Sequence, residues 1–123
     1  MEIQKSENSY ERAKREAKEY YSKIKRIWCP VLEDWIIFNK YGFRHLIWKG
    51  GLFRPKNEQK RRFTLLANLE KIIGNPYASV IEERKEDVSF WVFTEKQNDR
   101  VIKVIVRKIG NGEKHFLSVF QGK

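Results

Sequence analysis

The strongest constraint on this chain is a change of rhythm at Gly74-Asn75-Pro76. Before that point apolar residues recur at three- and four-residue intervals; after it they alternate. A side chain returns to the same helix face about every 3.6 residues and to the same sheet face every second residue. The chain therefore divides into a helical first part and a sheet-forming second part. In the second part Tyr77–Arg84, Val88–Lys96, Arg100–Ile109 and Lys114–Phe120 are rich in β-branched and aromatic residues. Lys85-Glu86-Asp87, Gln97-Asn98-Asp99 and Gly110-Asn111-Gly112 separate them, and such short turn-forming segments join antiparallel strands. The expected fold is α+β, with N-terminal helices packed on one face of a four-stranded antiparallel meander and the other face open.

The first part reads as a tail over residues 1–6 and a mainly helical region over 7–73. Glu7–Ile27 lacks Pro and Gly and is rich in Ala, Glu, Lys and Arg. Tyr10, Ala13, Ala17, Tyr20, Tyr21, Ile24 and Ile27 form its apolar face. Arg12, Lys14, Arg15, Lys18, Lys23, Lys25 and Arg26 lie opposite, as either a solvated face or a ridge that follows phosphates. Pro30 ends the helix. Asp34–Phe38 is a strand or a buried extended segment. Asn39 is placed to cap a helix over Tyr41–Trp48, which Gly50-Gly51 stops. After a loop over Leu52–Lys56, Asn57 is placed to cap a helix to Ile73, with Phe63, Leu65, Leu66, Leu69, Ile72 and Ile73 as its apolar stripe. There is no linker, repeat or low-complexity stretch, so residues 1–123 are expected to form one domain.

The charge balance narrows the function. Lys and Arg number 26 against 16 Asp and Glu, a formal charge of +10. That exceeds what solubility asks of a small domain and makes the fold repel itself, so a polyanionic partner is expected, nucleic acid above all. Membrane association is not expected: no apolar run approaches the ~20 residues of a span, and no basic helix has a broad bulky apolar face. The opening MEIQKSENSY lacks the apolar centre of a signal peptide, and a lone cysteine, Cys29, suits a reducing cytoplasm. Cys29 lies between apolar residues before Pro30 and is read as structural. With two histidines and no paired-acid motif, neither a metal nor another cofactor is expected.

Two regions concentrate candidate chemistry. In the third predicted strand, alternation puts Ile102, Val104, Val106 and Lys108 on the helix-covered face, and Lys103 and Arg107 on the open one. In the last strand Phe116 and Phe120 favour the even positions as core, which turns His115 outward and Ser118 inward. The second region, Phe43–Arg62, interleaves Arg44, His45, Lys49, Arg54, Lys56, Lys60, Arg61 and Arg62 with Phe43, Trp48 and Phe53. Basic groups neutralise phosphates and flat rings stack on unpaired bases; the same pattern also describes a snorkelling surface over an aromatic cluster. The expected RNA contacts are Arg44, Arg54, Lys56, Lys60, Arg62, Lys103, Lys114 and Trp48. Arg62 continues the apolar stripe of its helix and so must reach a cleft or pair with an acid. An imidazole can take a proton from a ribose 2′-OH or give one to a leaving 5′-oxygen, and lysines and arginines can hold the charge of a phosphorane.

The order of elements, the His-bearing segment Gly42-Phe-Arg-His-Leu-Ile-Trp-Lys49 and the final Lys114-His115-Phe116-Leu117-Ser118-Val119 resemble the barnase–EndoU–colicin–RelE superfamily of small ribonuclease toxins, chiefly its phage and mobile-element branches. The resemblance covers roughly Trp28 to Phe120. It implies metal-independent RNA cleavage on an open sheet face through a 2′,3′-cyclic phosphate. By position it makes His45 and His115 acid–base candidates, Lys49, Arg62 and Arg107 phosphate ligands, and Ser118 an orienting hydroxyl. The chain departs from branches that use a glutamate base: only Glu95 and Glu113 offer themselves. A toxin of this kind would meet a cognate acidic inhibitor. The alternatives are a catalytically silent RNA- or ribosome-binding module and a basic protein-interaction domain.

Overall fold

The computed structural model describes residues 7–122; the expected tail over residues 1–6 lies outside them. Helix α1 spans Ser9–Ile24, opened by Asn8, whose side chain accepts from the Glu11 N–H at 2.7 Å. It stops three residues short of the expected Ile27, because Lys25 takes a positive φ of 60° and turns the chain. Arg26–Cys29 is then a strand, β1, hairpinned to β2, Asp34–Ile37. The β-branched and aromatic content of Ile27-Trp28 is satisfied in this ladder, which outcompetes continuation of the helix.

Helix α2 spans Lys40–Ile47, with the Asn39 side chain accepting from the Tyr41 N–H. Its C-terminus runs into a two-stranded ribbon, β3 (Trp48–Lys49) and β4 (Leu52–Phe53), turned at Gly50 and Gly51, both at positive φ. Helix α3, Lys56–Leu65, begins after Pro55, so Asn57 lies inside it and is not its cap. A single 3₁₀ turn, Leu66–Asn68, leads into α4, Leu69–Ile73. The predicted stripe from Phe63 to Ile73 is buried throughout.

The sheet differs from the one expected. It has six strands in the order β1-β2-β8-β7-β6-β5, where β5 is Ser79–Lys85, β6 Val88–Gln97, β7 Arg100–Ile109 and β8 His115–Gly122. The last four pair antiparallel in chain order. The β1–β2 hairpin is added through a parallel contact, Ile37 beside His115, so the whole is a mixed sheet and not a four-stranded antiparallel meander. Beyond His115 the outer edge of β8 has no strand partner among the described residues, and α2 and α3 lie along it.

Ile102, Val104 and Val106 are fully buried with Trp91, Phe93, Phe116, Ile36 and the helical stripe, as their parity predicts. In β8 the predicted alternation holds only to Phe116. A bulge at Leu117 places Phe116 opposite Val106 but Ser118 opposite Ile105 and Val119 opposite Val104. Val119 therefore joins the core, while Phe120 falls opposite Lys103 on the other face. Cys29 is buried, and burial pushes its thiol pKa up, in keeping with a packing role. Among the described residues no helix is long and apolar enough to cross a membrane.

Candidate functional site

Arg107 and His115 are register partners on β7 and β8, so their side chains emerge on the same face. Arg107 Nε donates to His115 Nε2 at 3.0 Å. A guanidinium can only donate, so Nε2 carries the lone pair and the ring proton sits on Nδ1, facing the Glu113 carbonyl at 3.4 Å. Partial burial lowers the His115 pKa; the Glu113 carbonyl opposes this and the Arg107 charge adds to it.

His45 stands on α2, half-buried. The β3–β4 ribbon doubles the chain back so that the Arg54 N–H donates to the Ile47 carbonyl at 2.7 Å, which brings Arg54 under the end of α2. Its Nε donates to the His45 carbonyl at 2.9 Å, and an Nη lies 3.3 Å from His45 Nδ1. Burial pushes the His45 pKa down to about 4, and the charges of Arg54, Arg62, Arg107 and Lys49 push the same way. His45 and His115 stand on neighbouring elements, since α2 packs along β8.

Glu58 ties the cations together. On α3 it sits four residues after Arg54 and four before Arg62, and one carboxylate oxygen takes Arg54 at 3.4 Å and Arg62 at 3.0 Å. Arg62 also donates to Ser118 Oγ at 2.7 Å and, at 3.4 Å, to the Val119 carbonyl on the unpaired edge of β8. Its guanidinium lies 5.4 Å from the centre of the Phe120 ring. Its Nε is buried without a hydrogen-bond partner among the described residues. Beside this group a cleft of about 680 Å³ opens between the start of α3 and the end of β8, lined by Asn57, Glu58, Arg61, Arg62, Phe120 and Gln121.

Contacts tie the candidates into two groups, Arg107 with His115, and His45 through Arg54 and Glu58 with Arg62 and Ser118, while Lys49 stands exposed on β3. Other candidates fall elsewhere. Arg54, expected as a surface phosphate contact, is 7% exposed and holds His45 in place. Lys114 points away from His115 and is bound to Asp34 at 2.7 Å, with its ammonium 5.2 Å from the Trp91 ring on the core side. Alternation along β8 sends neighbouring residues to opposite faces, which is why Lys114 and His115 part. Arg44 lies exposed on another side of α2. Lys60 donates to Ser9 Oγ and Lys56 lies over the Tyr10 ring, so both fasten α3 to α1. Lys103 shares the face of Arg107, two same-side steps away. Trp48 stacks on Phe53 with ring centroids 3.7 Å apart, and Phe53 is 63% exposed.

Sequence reasoning missed Glu58. Its signal was present in the four-residue spacing of Arg54, Glu58 and Arg62, but only the fold puts His45 beside that line. Glu95 pairs with Ile102 on the core-facing side and bonds to Gln97, so it does not reach the imidazoles. Glu113 contributes its backbone carbonyl to His115. Among the described residues no three His, Cys, Asp or Glu side chains gather as metal ligands. No protein-family model matches the chain, and neither curated proteins nor solved structures give a match.

Proposed function

We propose that this protein is a metal-independent endoribonuclease working at the His45–Arg107–His115 site. The observation that carries the reading is a run of contacts from one histidine to the strand of the other: Arg54 holds His45 and shares Glu58 with Arg62, Arg62 donates to Ser118 on β8, and His115 at the start of β8 accepts from Arg107. Four cations, Arg54, Arg62, Arg107 and Lys49, act on His45, while Glu58 is the only carboxylate paired with any of them among the described residues. Such a site is short of negative charge, and a phosphodiester supplies it.

In the proposed reaction Arg107 turns from His115 Nε2 to the phosphate, and the lone pair it releases takes the proton of a ribose 2′-OH. The 2′-oxygen attacks phosphorus, the bond from phosphorus to the 5′-oxygen breaks, and the second imidazole returns a proton to that oxygen. The products are a 2′,3′-cyclic phosphate and a 5′-hydroxyl. Arg107, Arg62 and Lys49 stabilise the charge gathering on the non-bridging oxygens. In the free protein burial holds His45 neutral, and the cations add to it. A bound phosphate offsets them, raises its pKa and lets it serve as the acid. A toxin or mobile-element effector of this type acts in the cytoplasm, which the lone buried Cys29 suits, and an acidic inhibitor would close the site by the same charge pairing.

The test is digestion of end-labelled RNA in EDTA with analysis of the product termini. Cleavage leaving cyclic phosphates, reduced roughly 10²–10⁴-fold in His45→Ala and His115→Ala, is expected. Salt-sensitive RNA binding without cleavage would leave a binding module. No affinity for RNA at low salt would favour the protein-partner alternative.

A further inference from the structure

A second cationic groove lies across α2 from His45. One wall is a face of α1, where Lys14, Lys18 and Tyr21 recur at four- and three-residue intervals, continued by Lys25 just past the helix end. The other wall runs from Phe38 through Lys40, Phe43, Arg44 and Ile47. Tyr21, Phe38, Phe43 and Ile47 are buried and make an apolar floor, over a cleft of about 490 Å³. Five cations stand around it: Lys14, Lys18, Lys25, Lys40 and Arg44. Among the described residues no carboxylate lines the groove, and none of the five cations forms an ion pair. Arg15, about 100° round the helix from Lys14, is by contrast neutralised by both Glu7 and Glu19. The face of α1 that lines the groove therefore carries cations with no carboxylate to balance them.

We propose that this groove is a separate binding site for a single RNA strand, holding the part of a substrate that flanks the cleaved bond. The inference rests on the ribonuclease reading for its choice of ligand, but not for the charge pattern. Adjacent helix residues project about 100° apart, so Arg44 faces the groove while His45 faces the catalytic cluster, and a strand crossing α2 reaches both. The concavity has the volume of a small-ligand pocket, which admits a stretch of ribose-phosphate and excludes a rigid duplex. Cations above an apolar floor also match a polymer that alternates phosphates with flat bases. An acidic peptide supplies the charge but leaves that floor without a partner.

The experiment uses a short 2′-O-methyl oligonucleotide, which lacks the attacking hydroxyl and cannot be cut. Binding is followed by fluorescence anisotropy across a salt series. Replacing Lys18→Gln together with Lys40→Gln should weaken binding about tenfold and flatten the salt dependence by about 1.4 logarithmic units, near 0.7 for each phosphate that is no longer neutralised. A charge-matched control, Lys71→Gln with Arg84→Gln, removes two exposed cations outside the groove and should change little. Equal weakening in both pairs would mean that net charge alone drives binding, and would overturn the site. Tighter binding of polyglutamate than of the oligonucleotide would overturn the assignment to nucleic acid. Cleavage is read separately on ordinary RNA. Wild type that binds through the groove but never cuts removes the ribonuclease reading and leaves the groove. Cutting with no weakening of binding in the Lys18/Lys40 pair removes the groove and leaves the ribonuclease.

Discussion

Replacing Glu58 with glutamine tests the organisation of the site without touching an imidazole. The Glu58 carboxylate is shared by Arg54 and Arg62, which are 7% and 9% exposed. Removing one partner of a fully buried ion pair costs about 3–5 kcal/mol, because an uncompensated charge stays inside. Two guanidiniums would be orphaned here, but the carboxylate is 39% exposed, and solvent screening reduces such a pair towards the surface limit. A loss of about 1–2 kcal/mol is the reasonable balance. For a domain of this size that lowers Tm by roughly 4–8 °C. The diagnostic part is rescue. Orphaned cations bind anions more tightly, so inorganic phosphate should stabilise Glu58→Gln more than wild type, by RT ln(1 + [L]/Kd) in each case. Thermal unfolding with and without phosphate at constant ionic strength measures both effects. Unchanged stability in Glu58→Gln, or equal phosphate stabilisation of the two proteins, would refute the view that this carboxylate balances a site built for an anion.

The pH dependence of folding should report His45. Its folded pKa of about 4 lies below the unfolded value near 6.5, so both states are neutral above pH 6.5 and the residue contributes nothing there. As pH falls from 6.5 towards 4 the unfolded chain takes up the proton first, and stability is lost. The ceiling is about 3 kcal/mol, and half-exposure reduces it to about 1–2 kcal/mol. Urea midpoints from pH 7.5 to 4.5 should therefore fall more steeply for wild type than for His45→Gln; coincident profiles would count against the assignment. Gly42→Ala should destabilise by about 1–3 kcal/mol, since a Cβ there would meet Tyr21 Oη at 2.5 Å, Phe116 Cδ2 at 2.6 Å and the Phe116 carbonyl at 2.7 Å. Denaturant unfolding that shows Gly42→Ala as stable as wild type would mean that α2 stands off β8.

How far the sequence reached is clearest at the two histidines. Alternation along β7 and β8 put Arg107 and His115 on the same face, and that pair exists at hydrogen-bond distance. Helical spacing likewise named the buried stripe from Phe63 to Ile73. In both cases the side-chain direction follows from a local period, which burial of one face then fixes. The extended run at Asp34–Ile37 was legible, but its pairing with Arg26–Cys29 and its parallel contact with β8 were not, because that contact joins Ile37 to His115 across most of the chain. The bulge at Leu117 was also hidden: register is settled by packing against neighbours, and it redirected Ser118, Val119 and Phe120 together.

The chain by itself determined the division into helices and strands, the cationic surplus and the residue types available for chemistry, since these depend on periods and charges written along the backbone. Only the tertiary structure decided which of the basic residues act together. It buried Arg54 and Arg62 on either side of Glu58, bound Lys114 to Asp34, and set His45 against Arg54 and His115 against Arg107. The physical reason is that a charge interacts with whatever the fold brings within a few ångströms, and for these residues that is set by strand register and helix docking, not by sequence spacing.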